Sequence, residues 1–213
     1  QETVVLIVTL LMVAFFSITL NGFATIGNFL NVARSVSILG ILSLGMGVVV
    51  IGRGLDLSQI AATAVSAAIV VQMLTSGYSP WVALPVGAMV ALSIGVANGL
   101  IIAFIEIPAL FTTLASGFLV YGIARMVVLE GFISYVPKEQ EGFLFLGQGT
   151  VLGIPTPILI FAAIAVIVHL LLSRTSIGRF IYSHGDNTDT SRMTGISVRP
   201  LTVFEYAVCA LIG

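Results

Sequence analysis

Between Leu57 and Ile105 the chain carries no Asp, Glu, Lys or Arg, and this stretch divides into two long apolar runs at Thr75-Ser76-Gly77-Tyr78-Ser79-Pro80. Few folds accommodate that. A helix needs roughly 20 apolar residues to cross a hydrocarbon core, and backbone at that depth must satisfy its own hydrogen bonds, which a helix does. Two membrane-crossing helices joined by a turn fit the stretch. The rest of the chain agrees: 58% of its 213 residues are hydrophobic and 8% are charged, whereas roughly a quarter are charged in a soluble domain. The net charge of -1 gives no electrostatic reason to expect nucleic acid as a partner. The single cysteine, Cys209, lies in an apolar run and reads as a packing residue.

Apolar runs and their punctuation predict an all-α fold, a polytopic transmembrane helix bundle with six spans at about 4–20, 36–51, 59–75, 81–105, 108–129 and 157–173, and the start of a seventh from about 200. The first run is too long for the core of a signal peptide, and Asn21-Gly22-Phe23 lacks a small-residue cleavage pattern, so it reads as a retained helix. The chain opens on Gln1 and stops at Ala210-Leu211-Ile212-Gly213 within an apolar run too short to span. The expectation is therefore one membrane domain over 1–213, truncated at its C-terminus. Three polar connections separate the runs: 21–35 with Gly22, Asn28 and Arg34; 130–156 with Glu130, Lys138, Glu139 and Glu141; and 174–199 with Arg174, Arg179, Arg192 and Arg199. Cytoplasmic connections carry the excess of Lys and Arg, which places 174–199, 105–108, 52–58 and the N-terminus inside, and 21–35, 76–80 and 130–156 outside.

Within the spans, Gly87, Ala91, Gly95 and Gly99 recur at helical spacing, as do Gly40, Ser43 and Gly47. Small-residue faces let helix backbones approach closely in lipid, so both stripes read as packing faces. Polar residues near membrane depth are the candidates for function. In Gly52-Arg53-Gly54-Leu55-Asp56-Leu57-Ser58-Gln59, the pattern favours Asp56 as a cap of the following helix with Gln59 closing a capping box; both roles can hold at once, with Asp56, Ser58 and Gln59 lining a pathway at a broken helix end. Gln72 and Asn98 are amides inside predicted spans that need a partner or a polar solute. Glu106-Ile107-Pro108 marks a helix start in a tight turn. His169 and His184 lack further ligands at metal spacing, and no phosphate-binding Gly-Lys-Ser/Thr loop occurs. In 174–199, Asn187 or Thr188 can cap a short helix through Met193 that Gly195 ends by positive φ; the other reading is a solvated loop whose arginines set topology.

Gly178-Arg179-Phe180-Ile181-Tyr182-Ser183-His184-Gly185-Asp186-Asn187, followed by Thr190-Ser191-Arg192-Met193-Thr194-Gly195-Ile196, resembles the Gly-Arg-x-Ile-Tyr-Ala-x-Gly-Gly-Asn-x-x-Ala-Ala-Arg-x-x-Gly-Ile segment of membrane permease subunits of ribose-type ABC sugar importers. Three further segments resemble that family in order: Gly52 to Ser58, Asn98-Gly99-Leu100-Ile101-Ile102-Ala103, and Ile107-Pro108-Ala109-Leu110-Phe111-Thr112-Thr113-Leu114. Arg53, Asp186, Thr190 and Ser191 stand where the family carries small residues. The resemblance implies a non-catalytic translocation subunit of a bacterial inner-membrane importer for a sugar or similar hydroxylated solute. It implies as partners a cytoplasmic ATP-binding subunit that holds the ATP, a periplasmic solute-binding protein and a second permease subunit, with no cofactor on this chain. It further implies that Gly178, Arg179, Gly185, Asn187, Arg192 and Gly195 belong to a coupling segment that docks on the ATPase. The alternative is an ion-gradient-driven transporter or pore, for which Asp56 is the one acid near a suitable position.

Overall fold

A computed structural model describes residues 2–127, 136 and 140–213. The chain is a bundle of α1 (Glu2–Thr19), α2 (Ile26–Ile51), α3 (Gln59–Thr75), α4 (Pro80–Leu100), a π-helical turn at Ile101–Ile105, α5 (Ala109–Val127) and α6 (Glu141–Gln148). A hairpin of β1 (Thr150–Val151) and β2 (Ile154–Pro155) follows, then α7 (Thr156–Arg174), α8 (Ser176–Asp186), α9 (Thr188–Met193) and α10 (Val198–Ile212). Among the described residues, α1, α2, α4 with its π-turn, α5 and α7 are long and apolar enough to cross a membrane, and α3 is a shorter apolar helix of 17 residues. The protein is an all-α polytopic membrane bundle. The surfaces of α1 agree with that, since none of its residues is buried by the rest of the chain.

Two predicted connections contain regular structure. Residues 26–35 belong to α2, because the Thr25 hydroxyl accepts from the Asn28 N–H and starts the helix early. The polar side chains that suggested a loop are used at this end: Asn28 Nδ2 donates to the Phe23 carbonyl and Arg34 to that of Gln148. The connection 130–156 holds α6 and the hairpin, which turns at Leu152 and Gly153, both at positive φ; Glu130, Lys138 and Glu139 lie outside the described residues. The helix ends sort as the charge pattern predicts. Connections 52–58 and 105–108 meet the 174–199 region at one end, through the Glu106–Arg199 ion pair at 3.1 Å and the packing of Gly185 against Ile51. The start of α2 meets α6 at the other.

The core is organised around α10, which packs on α4 and α2. The stripe on α4 is buried along its length at Gly87, Ala91, Gly95 and Gly99. Its first part faces α3, where a Cβ on Gly87 would strike Val70. Its second part seats α10: a Cβ on Gly95 would lie 2.6 Å from the Ala210 Cβ, and one on Gly99 would lie 2.6 Å from the Val203 Cα. Helices surrounded by lipid gain nothing from the hydrophobic effect by touching each other, so association rests on such close packing. The second proposed stripe does not behave this way. Gly40 meets Phe161, but Ser43 is exposed and Gly47 has no neighbour within 4 Å; Gly45 is the buried glycine of this region, set against Gln59 and Cys209. A period of three to four residues cannot tell which face of a helix meets protein and which meets lipid.

Gly99→Ala is expected to destabilise the bundle by about 1–3 kcal/mol through overpacking, whereas Gly47→Ala should be neutral or stabilising by up to about 1 kcal/mol. Thermal melting of both variants in detergent checks this, and equal melting points would remove the α4–α10 contact from its central place.

Candidate functional site

The helix break between α2 and α3 places a polar cluster inside the bundle. Gly52 ends α2, its N–H bonded to the Val48 carbonyl. Arg53 follows at φ 65, a left-handed conformation taken by few non-glycine residues. Asp56, Ser58 and Asn98 are at most 1% exposed. Asp56 Oδ1 accepts from the Ser58 N–H at 3.0 Å and the Ser58 hydroxyl at 2.5 Å, and Asn98 Nδ2 donates to Ser58 Oγ at 2.7 Å. Above this chain the Tyr206 hydroxyl accepts from the Leu55 N–H at 3.2 Å and faces the Leu55 carbonyl at 3.3 Å, so α10 holds the connection directly. Two acceptors, Asp56 Oδ2 and Asn98 Oδ1, are buried with no hydrogen-bond partner in the chain. Such an atom costs roughly 1–3 kcal/mol unless it meets a donor. Asp56 lies in the connection, outside the helical spans, and burial, outweighing its bonds from Ser58, holds its carboxyl above the ordinary value.

Of the residues expected here, Asp56, Ser58, Gln59 and Asn98 come together, and Gln72 does not: it sits on the exposed face of α3. The capping box also fails to form. Gln59 Nε2 donates to the Leu42 carbonyl at 2.9 Å on α2 instead of returning to Asp56. One Asp56 carboxylate oxygen serves the first turn of α3, while the carboxyl also lies in the field of the Cys209 thiol on α10.

A second cluster lies at the end of the bundle where α8 meets α10. His184 Nδ1 and Glu205 Oε1 are 3.2 Å apart, with the two residues 7% and 1% exposed. A Cβ on Gly52 would overlap the Glu205 carboxyl group where it now lies, so the acid packs directly on the end of α2. Glu205 Oε2 is buried with no partner, and Glu205 lines a cleft of about 390 Å³ together with Arg53, Glu106, His184, Arg192 and Arg199. The expectation that Asp56 is the one buried acid is therefore incorrect. Phe204-Glu205-Tyr206 interrupts an apolar run, and the rule that singled out Asp56 applies equally to it. Among the described residues, no three His, Cys, Asp or Glu side chains converge as metal ligands would.

The 174–199 region is a helical pair. Thr175 ends α7 and caps α8, its hydroxyl accepting from the Gly178 N–H at 3.1 Å. Asn187 caps α9 by accepting from the Asp189 and Thr190 N–H groups, and Gly195 takes φ 86 beyond its end. Ser183 and Ser191 join α8 to α9 by a 2.8 Å hydroxyl contact, which accounts for a serine at a position where small residues are the pattern. Gly178 and Gly185 are fixed by packing: a Cβ would strike the Leu171 and Leu172 carbonyls in one case and the Ile51 carbonyl in the other. Arg179 and Arg192 are exposed.

A multi-span bundle with a buried polar core and an amphipathic helix pair folded against one end has the build of a membrane transport subunit. A family model described as the permease component of branched-chain amino acid transport systems matches residues 28–213, and the chain belongs to that family. It is 30% identical over 209 residues to the ribose import permease protein of Haemophilus influenzae, covering 97% of this chain and 64% of the relative. The ribose import permease protein of Bacillus subtilis is 32% identical over 186 residues, covering 87% and 58%. The L-arabinose transport system permease protein of Escherichia coli K12 is 30% identical over 194 residues, covering 90% and 57%. The chain thus spans less than two thirds of the length of these relatives. No solved structure matches it at a significant level.

Relieving the left-handed Arg53 by Arg53→Gly is expected to raise stability by about 1 kcal/mol. Ser58→Ala should lower it by about 1–3 kcal/mol, because Asp56 and Asn98 lose their shared partner. Melting curves in detergent distinguish the two directions.

Proposed function

We propose that this chain forms the translocation pathway of an ATP-driven importer for a sugar or similar small hydroxylated solute, without ATPase activity of its own. Its membership of a permease family together with its similarity to sugar-import permeases carries the reading. In this arrangement the α8–α9 end and the N-terminus face the cytoplasm of a bacterial inner membrane, and the end bearing α6 and the hairpin faces a periplasmic solute-binding protein. A second permease subunit completes the pathway, and ATP is held by a cytoplasmic partner.

Two features support a docking role for α8 and α9. Their outer face leaves Phe180, Tyr182 and Met193 exposed beside Arg179 and Arg192, the mixture of aromatic, Met and Arg side chains enriched at protein interfaces. Their inner face is held by Gly178 and Gly185, while Asn187 and Gly195 shape α9. The free acceptors of Asp56 and Asn98 suit hydroxyl donors on a passing solute. A second reading, an ion-gradient-driven transporter, has the two buried carboxylates of Asp56 and Glu205 in its favour.

Reconstitution of the full-length permease with its ATPase and solute-binding protein should give uptake that requires ATP and hydrolysis stimulated by the loaded binding protein. Uptake driven by an ion gradient without the ATPase would favour the second reading. Arg192→Glu should weaken ATPase association by roughly tenfold, about 1.4 kcal/mol, without changing the melting point, as pull-down titration against the purified ATPase will register.

A further inference from the structure

We infer that the His184–Glu205 contact is the link through which movement of the docking helices α8 and α9 reaches the polar core at Asp56, and that both residues are positioning residues for coupled transport. The inference rests on the importer reading above.

α8 is held to the bundle by Ile181, which packs with Val48, Val168 and Leu201, and near its end by the backbone approach of Gly185 to Ile51 and the His184–Glu205 contact at 3.2 Å. Glu205 is carried by α10, and the next residue, Tyr206, holds both the N–H and the carbonyl side of Leu55 at 3.2 and 3.3 Å. Adjacent residues of a helix point about 100° apart, so one edge of α10 meets the docking pair while the neighbouring edge meets the 52–58 connection. Leu55 precedes Asp56, whose carboxylate holds Ser58 and through it Asn98. A contiguous set of bonds therefore runs from α8 to the two free acceptors of the core.

The link also has a way to change state. Glu205 Oε1 faces His184, Oε2 is buried with no partner, and the residue lines the cleft that Arg53 and Arg192 also line. When α8 shifts, the carboxylate can leave His184 and still face cationic groups across the cleft, so breaking the contact does not strand a buried charge. Coupling through packed structure needs an element with two such arrangements. A contact that served only to hold α8 in place would need no free carboxylate oxygen and no cleft beside it.

The test uses the full-length permease in proteoliposomes with its ATPase and solute-binding protein, and reads uptake and ATP hydrolysis in the same vesicles. Glu205→Ala and His184→Ala are expected to lower solute taken up per ATP hydrolysed by roughly tenfold, within the range of allosteric coupling, while the ATPase copurifies as with wild type. Glu205→Gln, which keeps an acceptor for His184 and nearly the same shape, should restore most of the ratio. Uptake and hydrolysis falling in proportion, an unchanged ratio, or alanine variants that no longer assemble with the ATPase would each overturn the inference, because a merely structural contact gives those results. Wild-type uptake that needs no ATP would instead overturn the importer reading and this inference with it.

Discussion

The approach of α10 to α4 over Gly95 and Gly99 is the contact on which the rest of the bundle depends. Lipid tails solvate an apolar helix as well as another helix does, so an apolar surface gives α10 no reason to enter the bundle. Missing side chains do. With no Cβ at Gly95 and Gly99, backbone and side-chain atoms of Tyr206, Val203 and Ala210 come within dispersion range of α4. That contact fixes the rotation of α10 about its own axis, and with it the directions of Glu205, Tyr206 and Cys209. The facing surface of α2 meets the same helix through Val49, packed with Tyr206 and Cys209, and through Gly52 beneath Glu205.

Once α10 is fixed, the break between α2 and α3 becomes tolerable. Residues 52–58 leave backbone groups that no helix satisfies, and these would be costly in an apolar interior. Tyr206 and Thr113 reach Leu55, Asp56 reaches the Ser58 N–H, and Asn98 reaches the Ser58 hydroxyl. Tyr206, Thr113 and Asn98 come from three different helices, so the broken segment ties α10, α5 and α4 together. Among the side chains of this cluster, the groups left over are two acceptors, Asp56 Oδ2 and Asn98 Oδ1.

Much of this was legible in the sequence, and the reasons differ from element to element. The absence of charge over 57–105 is enough to place α3 and α4, because no soluble alternative competes. The start of α2 was hidden because Asn28 and Arg34 look like loop residues, yet they serve the helix end and its contact with Gln148. Asp56, Ser58, Gln59 and Asn98 lie together, whereas Gln72 is on the exposed face of α3; hydropathy does not record which way a helix is turned. Glu205 was missed because it lies in a segment judged by its average apolarity. The partner that makes it tolerable, His184, is 21 residues away in a region read for its arginines.

The position of Arg53 joins these points. Its segment resembles one in which other family members carry a small residue, and its left-handed φ is where glycine is favoured, so the arginine side chain is present despite a backbone cost. Packing does not explain it, for its side chain is exposed. Its surroundings offer a reason: Arg53 borders the cleft that Glu205 also lines. A buried carboxylate near the end of the bundle is less costly when a guanidinium shares its solvent pocket, even at a distance. Arg53, Glu205 and His184 thus line one cleft at the junction of α2, α8 and α10, where α8 meets the helix that holds the polar core.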